Sequence, residues 1–203
     1  MYYGAEIGIE MSDKSVQKRK FILETARNVF AEKGFRSVTM KDIVEACEIS
    51  RGGLYLYFSS TEEIFLEVLS MEAQETDDTV VASLENASAA EVLAVFLKEQ
   101  KREILRAKKT LMAATYEYLF AEQTAKKDNF LKKQFNQAVK MLEKLINMGI
   151  ASHEFYDVDA RIAAKNIMYV LEGLKISALT MGVSAETVDK ELLILMQGLV
   201  AEE

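Results

Sequence analysis

The chain of 203 residues contains no proline, only nine glycines, one cysteine and one histidine. An all-β domain of this length needs turn residues far more often, whereas long helices do not. The single cysteine, Cys47, excludes an internal disulfide, and the first ten residues lack the basic, apolar pattern of a signal peptide. No apolar run reaches the roughly 18 residues that cross a bilayer. We therefore expect a cytoplasmic protein without a membrane partner.

Basic residues are scarce overall but are concentrated near the start of the chain. The net charge is −7, yet residues 11–61 carry nine basic and six acidic side chains. Residues 62–203 carry sixteen basic and twenty-four acidic ones. Because the protein as a whole is acidic, it is not a general nucleic-acid coat. The basic segment instead indicates a local site for a polyanion.

Apolar residues recur at helical spacing along most of the chain, which predicts an all-α fold of about nine helices. In the first helix Ile22, Ala26 and Phe30 share one face, and Gly34 is expected to end it. Another helix is predicted over residues 129–148, with Gly149 as its stop. The remaining long helices are placed at residues 89–107, 109–125, from 157 or 159 to 182, and from Ser184 onward.

The most informative stretch runs from Phe30 to Phe65. Two short helices follow each other there, and Thr39 and Ser50 are placed to cap them. The second is too short to be stable alone, so it depends on packing against the helices before and after it. A short, exposed and rigidly mounted helix is what the major groove of DNA admits.

The second short helix opens with Ser50-Arg51-Gly52-Gly53, which leaves its first turn nearly free of bulk. Backbone amides there can approach phosphates or base edges. Arg51 is suited to guanine, while Tyr55 and Tyr57 offer hydroxyls to phosphates and rings to thymine methyl groups. We assign Leu54 and Phe58 to the core instead.

These residues resemble the DNA-binding domain of the TetR family of bacterial transcriptional regulators. The family pattern is F-x-x-x-G-F/Y, then T-x-x-x-I-A, then S-x-G-x-x-Y-x-Y/H-F. This chain has Phe30 to Phe35, then Thr39 to Val44, then Ser50 to Phe58 in the same order. It departs from the family at Thr61, where a lysine that contacts phosphate is usual. The loss of that charge predicts weaker, less salt-sensitive binding, or compensation by other basic residues.

The start of the chain has no helical periodicity, so we expect a flexible tail at residues 1–13. The resemblance implies a helix-turn-helix domain at 14–61 and a ligand-sensing and dimerisation domain at 62–203. It also implies a dimer that binds a double-stranded DNA operator. The predicted DNA contacts are Arg36, Thr39, Lys41, Ser50, Arg51, Gly52, Gly53, Tyr55, Tyr57 and Thr61.

The body offers weaker signals for an effector and for the dimer. A ligand cavity is predicted from Met112, Tyr116, Tyr118, Phe120 and His153, although such aromatics also occur in plain cores. A dimer seam is predicted from Ile167, Leu171, Leu174, Leu192, Leu195 and Leu199, which could instead pack within their own subunit. With one histidine and one cysteine, we expect neither a metal site nor a cofactor.

Three classes of function are compatible with a helical protein of this kind. An enzyme is disfavoured because the chain has no glycine-rich phosphate loop, no Glu-x-x-His pair and no nucleophile with a matching base. A protein-binding adaptor is disfavoured by the glycine-opened third helix. We predict a ligand-responsive regulator, a repressor that binds a palindromic operator as a dimer and is released by a small molecule.

Overall fold

Nine α-helices fall within the part of the chain that this computed structural model describes, residues 13–82, 87–107, 110–121 and 130–200. The predicted tail lies outside it, except that Asp13 begins the first helix. Within these ranges no helix combines the length and apolar character that crossing a bilayer requires. The all-α prediction is confirmed. The helices are α1 (Asp13–Lys33), α2 (Met40–Ala46), α3 (Arg51–Tyr55), α4 (Thr61–Ala82), α5 (Ala89–Leu105), α6 (Met112–Ala121), α7 (Phe130–Ala151), α8 (Ala160–Thr180) and α9 (Ala185–Gln197).

Short polar side chains begin many of these helices. Full capping boxes open α2, where Thr39 pairs with Asp42, and α5, where Ser88 pairs with Glu91. One such cap contributes about 1 kcal/mol to stability. A chain without proline thus sets its helix boundaries with hydroxyl and carboxylate groups. Single side-chain caps begin α3, α8 and α9 at Ser50, Asp159 and Ser184.

Two glycines that were expected to stop helices have different roles. Gly34 ends α1 as predicted, since its φ is 77° and its amide donates to the carbonyl of Phe30 over 2.9 Å. The prediction for Gly149 is wrong, because α7 continues to Ala151. A Cβ at Gly149 would lie 2.3 Å from the ring of Phe155. This glycine therefore permits close packing inside a helix instead of ending one.

The buried apolar side chains form two separate cores. The first lies among α1 to α4 and contains Phe30, Phe58 and Phe65. The second lies among α5, α7, α8 and α9 and includes Leu142 and Leu171. Helix α6 contributes to both of them, with Ala114 and Tyr118 in the first core and Met112 and Tyr116 in the second, and Leu111 just before α6 also belongs to the first.

Ion pairs join helices at the margins of these cores. Arg19 with Glu67 and Arg27 with Glu72 link α1 to α4. Both pairs are partly buried but still in contact with solvent, and surface pairs of this kind contribute at most about 1 kcal/mol each. The apolar cores therefore supply most of the stability, and the pairs help to set how α1 and α4 lie against each other.

Candidate DNA-reading site

A tight turn fixes the angle between α2 and α3. Cys47 ends α2, and Glu48 takes a left-handed backbone conformation with a φ of 52°. The next amide, of Ile49, donates to the carbonyl of Val44 over 3.3 Å. Non-glycine residues rarely adopt such a φ, so packing on both sides holds the turn. Cys47 is buried in the first core, and burial raises the pKa of its thiol.

Buried side chains anchor the inner side of α3. Leu54 is fully buried, Phe58 nearly so, and Ile43 of α2 is fully buried beside them. Tyr57 is half-buried and packs against the same core. The predicted division is confirmed for Leu54 and Phe58, which hold the helix in place. Tyr57, a predicted DNA contact, has only part of its ring on the surface.

The outer side of α3 presents Arg51, Gly52, Tyr55 and Leu56. The guanidinium carbon of Arg51 lies 5.6 Å from the centre of the Tyr55 ring, one helical turn away. A Cβ at Gly52 would meet no atom within 4 Å. Leu56 is 83% exposed, and the sequence analysis missed it. Because residues four apart share a helix face, the spacing from Gly52 was a signal that could have found it.

Two of the predicted DNA contacts are engaged in helix caps. The amide of Thr39 donates to the carboxylate of Asp42 over 2.8 Å, and its hydroxyl also bonds to Asp42. Hydrogen bonds from Lys33 and Thr39 hold the pKa of Asp42 well below its usual range. Ser50 accepts the amide of Gly53 over 3.0 Å. These residues set where α2 and α3 begin, while Arg51 and Tyr55 face outward.

Exposed basic residues lie near α3, on the turn before α2 and on α2 itself. Arg36 is exposed in the turn between α1 and α2, and Lys41 is exposed on the first turn of α2. Lys41 lies 3.5 Å from Glu45, and both side chains remain largely in solvent. Thr61 is half-buried as the first residue of α4. Contacts with phosphates position a protein on DNA without reading its sequence. The exposed Arg36 and Lys41 are suited to such contacts.

Comparison with known proteins agrees with this geometry. Residues 22–68 match the family model of bacterial regulatory proteins, tetR family, and residues 92–189 match that of the Tetracyclin repressor-like, C-terminal domain. The HTH-type transcriptional regulator YfiR of Bacillus subtilis is 36% identical over 138 residues, which cover 68% of this chain and 67% of the relative. The chain belongs to the TetR family.

Two solved structures are similar in fold to this chain. A transcriptional regulator from Saccharomonospora viridis, solved in complex with choline, is 23% identical with a TM-score of 0.79, over 92% of this chain and 100% of that one. A TetR family regulator from Agrobacterium tumefaciens is 20% identical with a TM-score of 0.75, over 92% and 99%. Members of this family are transcriptional regulators with DNA-binding and ligand-binding domains, not enzymes. The predictions of a helix-turn-helix regulator and of no enzymatic activity are confirmed.

Helix α6 joins the TetR-type reading domain to the body through two adjacent side chains. The carboxylate of Glu117 accepts the backbone amide of Arg36 over 3.2 Å. It also packs on Gly34, where a Cβ would lie 2.6 Å from both carboxylate oxygens. The hydroxyl of Tyr118 donates to Glu62 on α4 over 3.0 Å. Tyr118, predicted to line a ligand cavity, therefore belongs to this junction.

The other predicted ligand contacts of this TetR-family chain do not converge either. Met112 and Tyr116 are buried in the second core. Phe120 is 74% exposed, with its ring 6.2 Å from that of Tyr116. His153 is exposed in the turn after α7, with a left-handed φ of 63°. Only Met112 and Tyr116 face the interior of the body.

A polar cluster that the sequence analysis missed lies next to Tyr116. The Tyr116 hydroxyl donates to Glu172 on α8. Lys175 lies 3.6 Å from both Glu172 and Glu103. Burial, together with the bond to Glu172, raises the pKa of Tyr116, which keeps it a neutral donor. In the ranges described, no group of histidine, cysteine or acidic residues is arranged to hold a metal ion.

The six residues predicted for the dimer seam are buried in their own subunit, so their side chains are not on an outer surface. The outward faces of α8 and α9 carry other apolar residues. Ile176 is 40% exposed on α8, and Leu193 and Ile194 are 56% and 61% exposed on α9. The six inward-facing residues are Ile167, Leu171, Leu174, Leu192, Leu195 and Leu199.

Proposed function

We propose that this TetR-family regulator is a repressor that binds a palindromic operator as a homodimer and leaves it when a small molecule binds the body. The observation that carries the proposal is the outer face of α3, where Arg51 and Tyr55 point away from a firmly anchored helix. Gly52 between them allows the backbone to approach the bases. An operator on bacterial DNA implies a cytoplasmic location.

The proposed contacts divide into base readers and phosphate contacts. Arg51 is suited to the two acceptors on guanine in the major groove. Its ring partner Tyr55 limits the conformations of the guanidinium, which lowers the entropy that binding costs. Arg36 and Lys41 are placed for phosphates, where charge gives affinity without base preference.

The proposed dimer uses the outward faces of α8 and α9. These faces carry exposed apolar side chains, those of Ile176, Leu193 and Ile194. An exposed apolar patch of this kind is typical of a protein interface. Gly173, on α8 three residues before Ile176, is also exposed, and a Cβ there would meet no side chain and no other helix within 4 Å. Two copies of each helix would form a four-helix bundle around a two-fold axis, which matches the symmetry of a palindrome. The recognition helices would then lie about 34 Å apart or a multiple of that.

The proposed effector acts on the polar cluster around Glu172. Two carboxylates and one lysine give the cluster a net negative charge, which favours an effector with a cationic or hydrogen-bond-donating group. A molecule that takes the place of Tyr116 on Glu172 would move α6, and Glu117 and Tyr118 lie on that same helix. Such control requires that the effector bind the two conformations with different affinity.

The decisive experiment is selection of bound genomic fragments by the purified full-length protein. Enrichment of a short inverted repeat, with protection of both halves in footprinting, is the expected result. Release of the fragments by a small organic molecule would support the effector step. If no fragment is enriched over unrelated DNA at moderate salt, the proposal of sequence-specific operator binding is wrong.

Arg51 and Lys41 should differ in the kind of loss that alanine causes. Arg51→Ala should relax base preference at one position per half-site, since a good base contact contributes about 1–3 kcal/mol of discrimination. Lys41→Ala should weaken binding to all sequences alike. Titration against the operator and against single-base variants measures both effects. Equal losses that do not depend on sequence would remove the distinction.

Thr61→Lys should restore the phosphate contact that the family usually has. We expect tighter operator binding and a steeper dependence of log K on log salt, by about one unit for each new phosphate contact per subunit. A salt titration of wild type and variant measures the slope. Glu48→Gln, an equal charge change of one unit on the turn between α2 and α3, serves as the control for general electrostatics. If the slope of the Thr61 variant does not exceed that of the wild type, residue 61 is not near a phosphate.

A further inference from the structure

Leu56 is an apolar side chain on a surface that otherwise offers polar groups. At 83% exposure, it is the most exposed of the large apolar residues in the described part of the chain. Its neighbours Leu54 and Phe58 are buried, so the short helix already has the apolar anchors that it needs. The fold therefore gives no reason for leucine at position 56.

The surroundings of Leu56 place it on the face that would enter the groove. Its amide donates to the carbonyl of Gly52 over 3.2 Å, so the two residues are one helical turn apart on the same side. Because Gly52 has no side chain, the surface next to Leu56 is bare backbone. Arg51 and Tyr55 form the parallel column beside it.

The chemistry of the major groove restricts what a leucine can contact there. Base edges in that groove present hydrogen-bond donors and acceptors and one apolar substituent, the C5 methyl group of thymine. We propose that Leu56 packs on a thymine methyl group, so that each operator half-site carries an A·T pair at that position. This assignment rests on the proposed DNA-binding function and adds a specificity-determining residue to it.

A protein partner on Leu56 is the competing occupant. It is disfavoured because the side chain stands alone among Arg51, Gly52 and Tyr55, whereas protein interfaces center on clusters of apolar side chains. The described surface of α3 offers no such cluster. If copies of the protein associate through Leu56, the mass of the assembly in solution without DNA should differ between the wild type and Leu56→Ala.

The test replaces each thymine of the selected operator with uracil, which lacks only the methyl group. Wild-type protein should lose affinity by about fourfold for each methyl group that Leu56 covers, the equivalent of burying one such group. The loss that disappears in Leu56→Ala should occur at one thymine per half-site. Leu56→Ala should bind the thymine operator more weakly and should show no further loss at that same position.

Controls separate the outcomes. Leu56→Met keeps an apolar side chain and should retain most of the sensitivity to uracil, while Tyr55→Phe should leave the Leu56 position unchanged. Failure of the wild type to bind any DNA would overturn the proposed function as a whole. Binding by Leu56→Ala with wild-type affinity and an unchanged uracil profile would overturn only the assignment of Leu56. If the assembly of Leu56→Ala without DNA differs in mass from that of the wild type, Leu56 makes a protein contact and the assignment to thymine is overturned.

Discussion

Replacing Ile194 with glutamate should turn the protein into a folded monomer with at least about a hundredfold lower operator affinity, because a monomer loses the avidity of two linked half-sites. The side chain is 61% exposed on α9, so the charge costs little in the free subunit. In the proposed dimer the same charge would be buried twice without a partner. Light scattering at micromolar concentration and an operator titration measure the two effects.

Two matched variants test whether this effect belongs to the outward face. Val95→Glu places the same charge on α5, where the side chain is 45% exposed, and should leave the dimer intact. Leu195→Ala removes a side chain from the subunit core and should lower the free energy of unfolding by about 2–5 kcal/mol. A dimeric Ile194→Glu variant would show that α9 does not form the seam.

Gly52→Leu should make the protein more stable and nearly unable to bind its operator. Leucine favours a helix over glycine by up to about 1 kcal/mol, and the position is open, with no atom within 4 Å of a Cβ. On DNA, the added side chain would stand between the helix backbone and the base edges. We expect a loss of about a hundredfold in affinity, since a steric clash excludes the bound arrangement.

Gly52→Leu is expected to gain stability while it loses operator affinity. Misfolding would lower both, so it could not account for this result. Thermal unfolding and an operator titration on the same sample measure both. Asn147→Ala, on the exposed side of α7, should also favour its helix and should leave operator binding unchanged. Wild-type affinity in Gly52→Leu would mean that this side of α3 does not face DNA.

The reading motif could be predicted from sequence because its signals are local. Thr39 and Ser50 cap helices within three residues of themselves, and Gly34 ends α1 through its own backbone conformation. Leu54 and Phe58 were recognisable as core residues from their spacing. What was missed was the exposed Leu56, because its proposed contact with DNA depends on the bare surface that Gly52 leaves beside it.

The body was harder to predict because its helices are apolar on more than one face. On α8, Leu171 faces the subunit core while Ile176 faces outward, and periodicity alone does not tell which stripe meets a partner. Tyr116 and Tyr118 were grouped in one cavity although residues two apart point to nearly opposite sides of a helix. The polar cluster at Glu172 joins three helices and has no local signal.

The contacts of α6 also determine where the DNA-binding domain can be separated from the body in a fragment or a chimera. The ring of Tyr118 lies 4.9 Å from that of Phe35 and 5.6 Å from that of Phe65, between centres. A fragment that ends before α6 would leave these phenylalanines facing water, and we expect it to aggregate. A chimera that gives this reading domain a new sensor should therefore carry Glu117 and Tyr118 along, with the junction placed inside or after α6. The unit that recombines intact is thus longer than the unit that touches DNA.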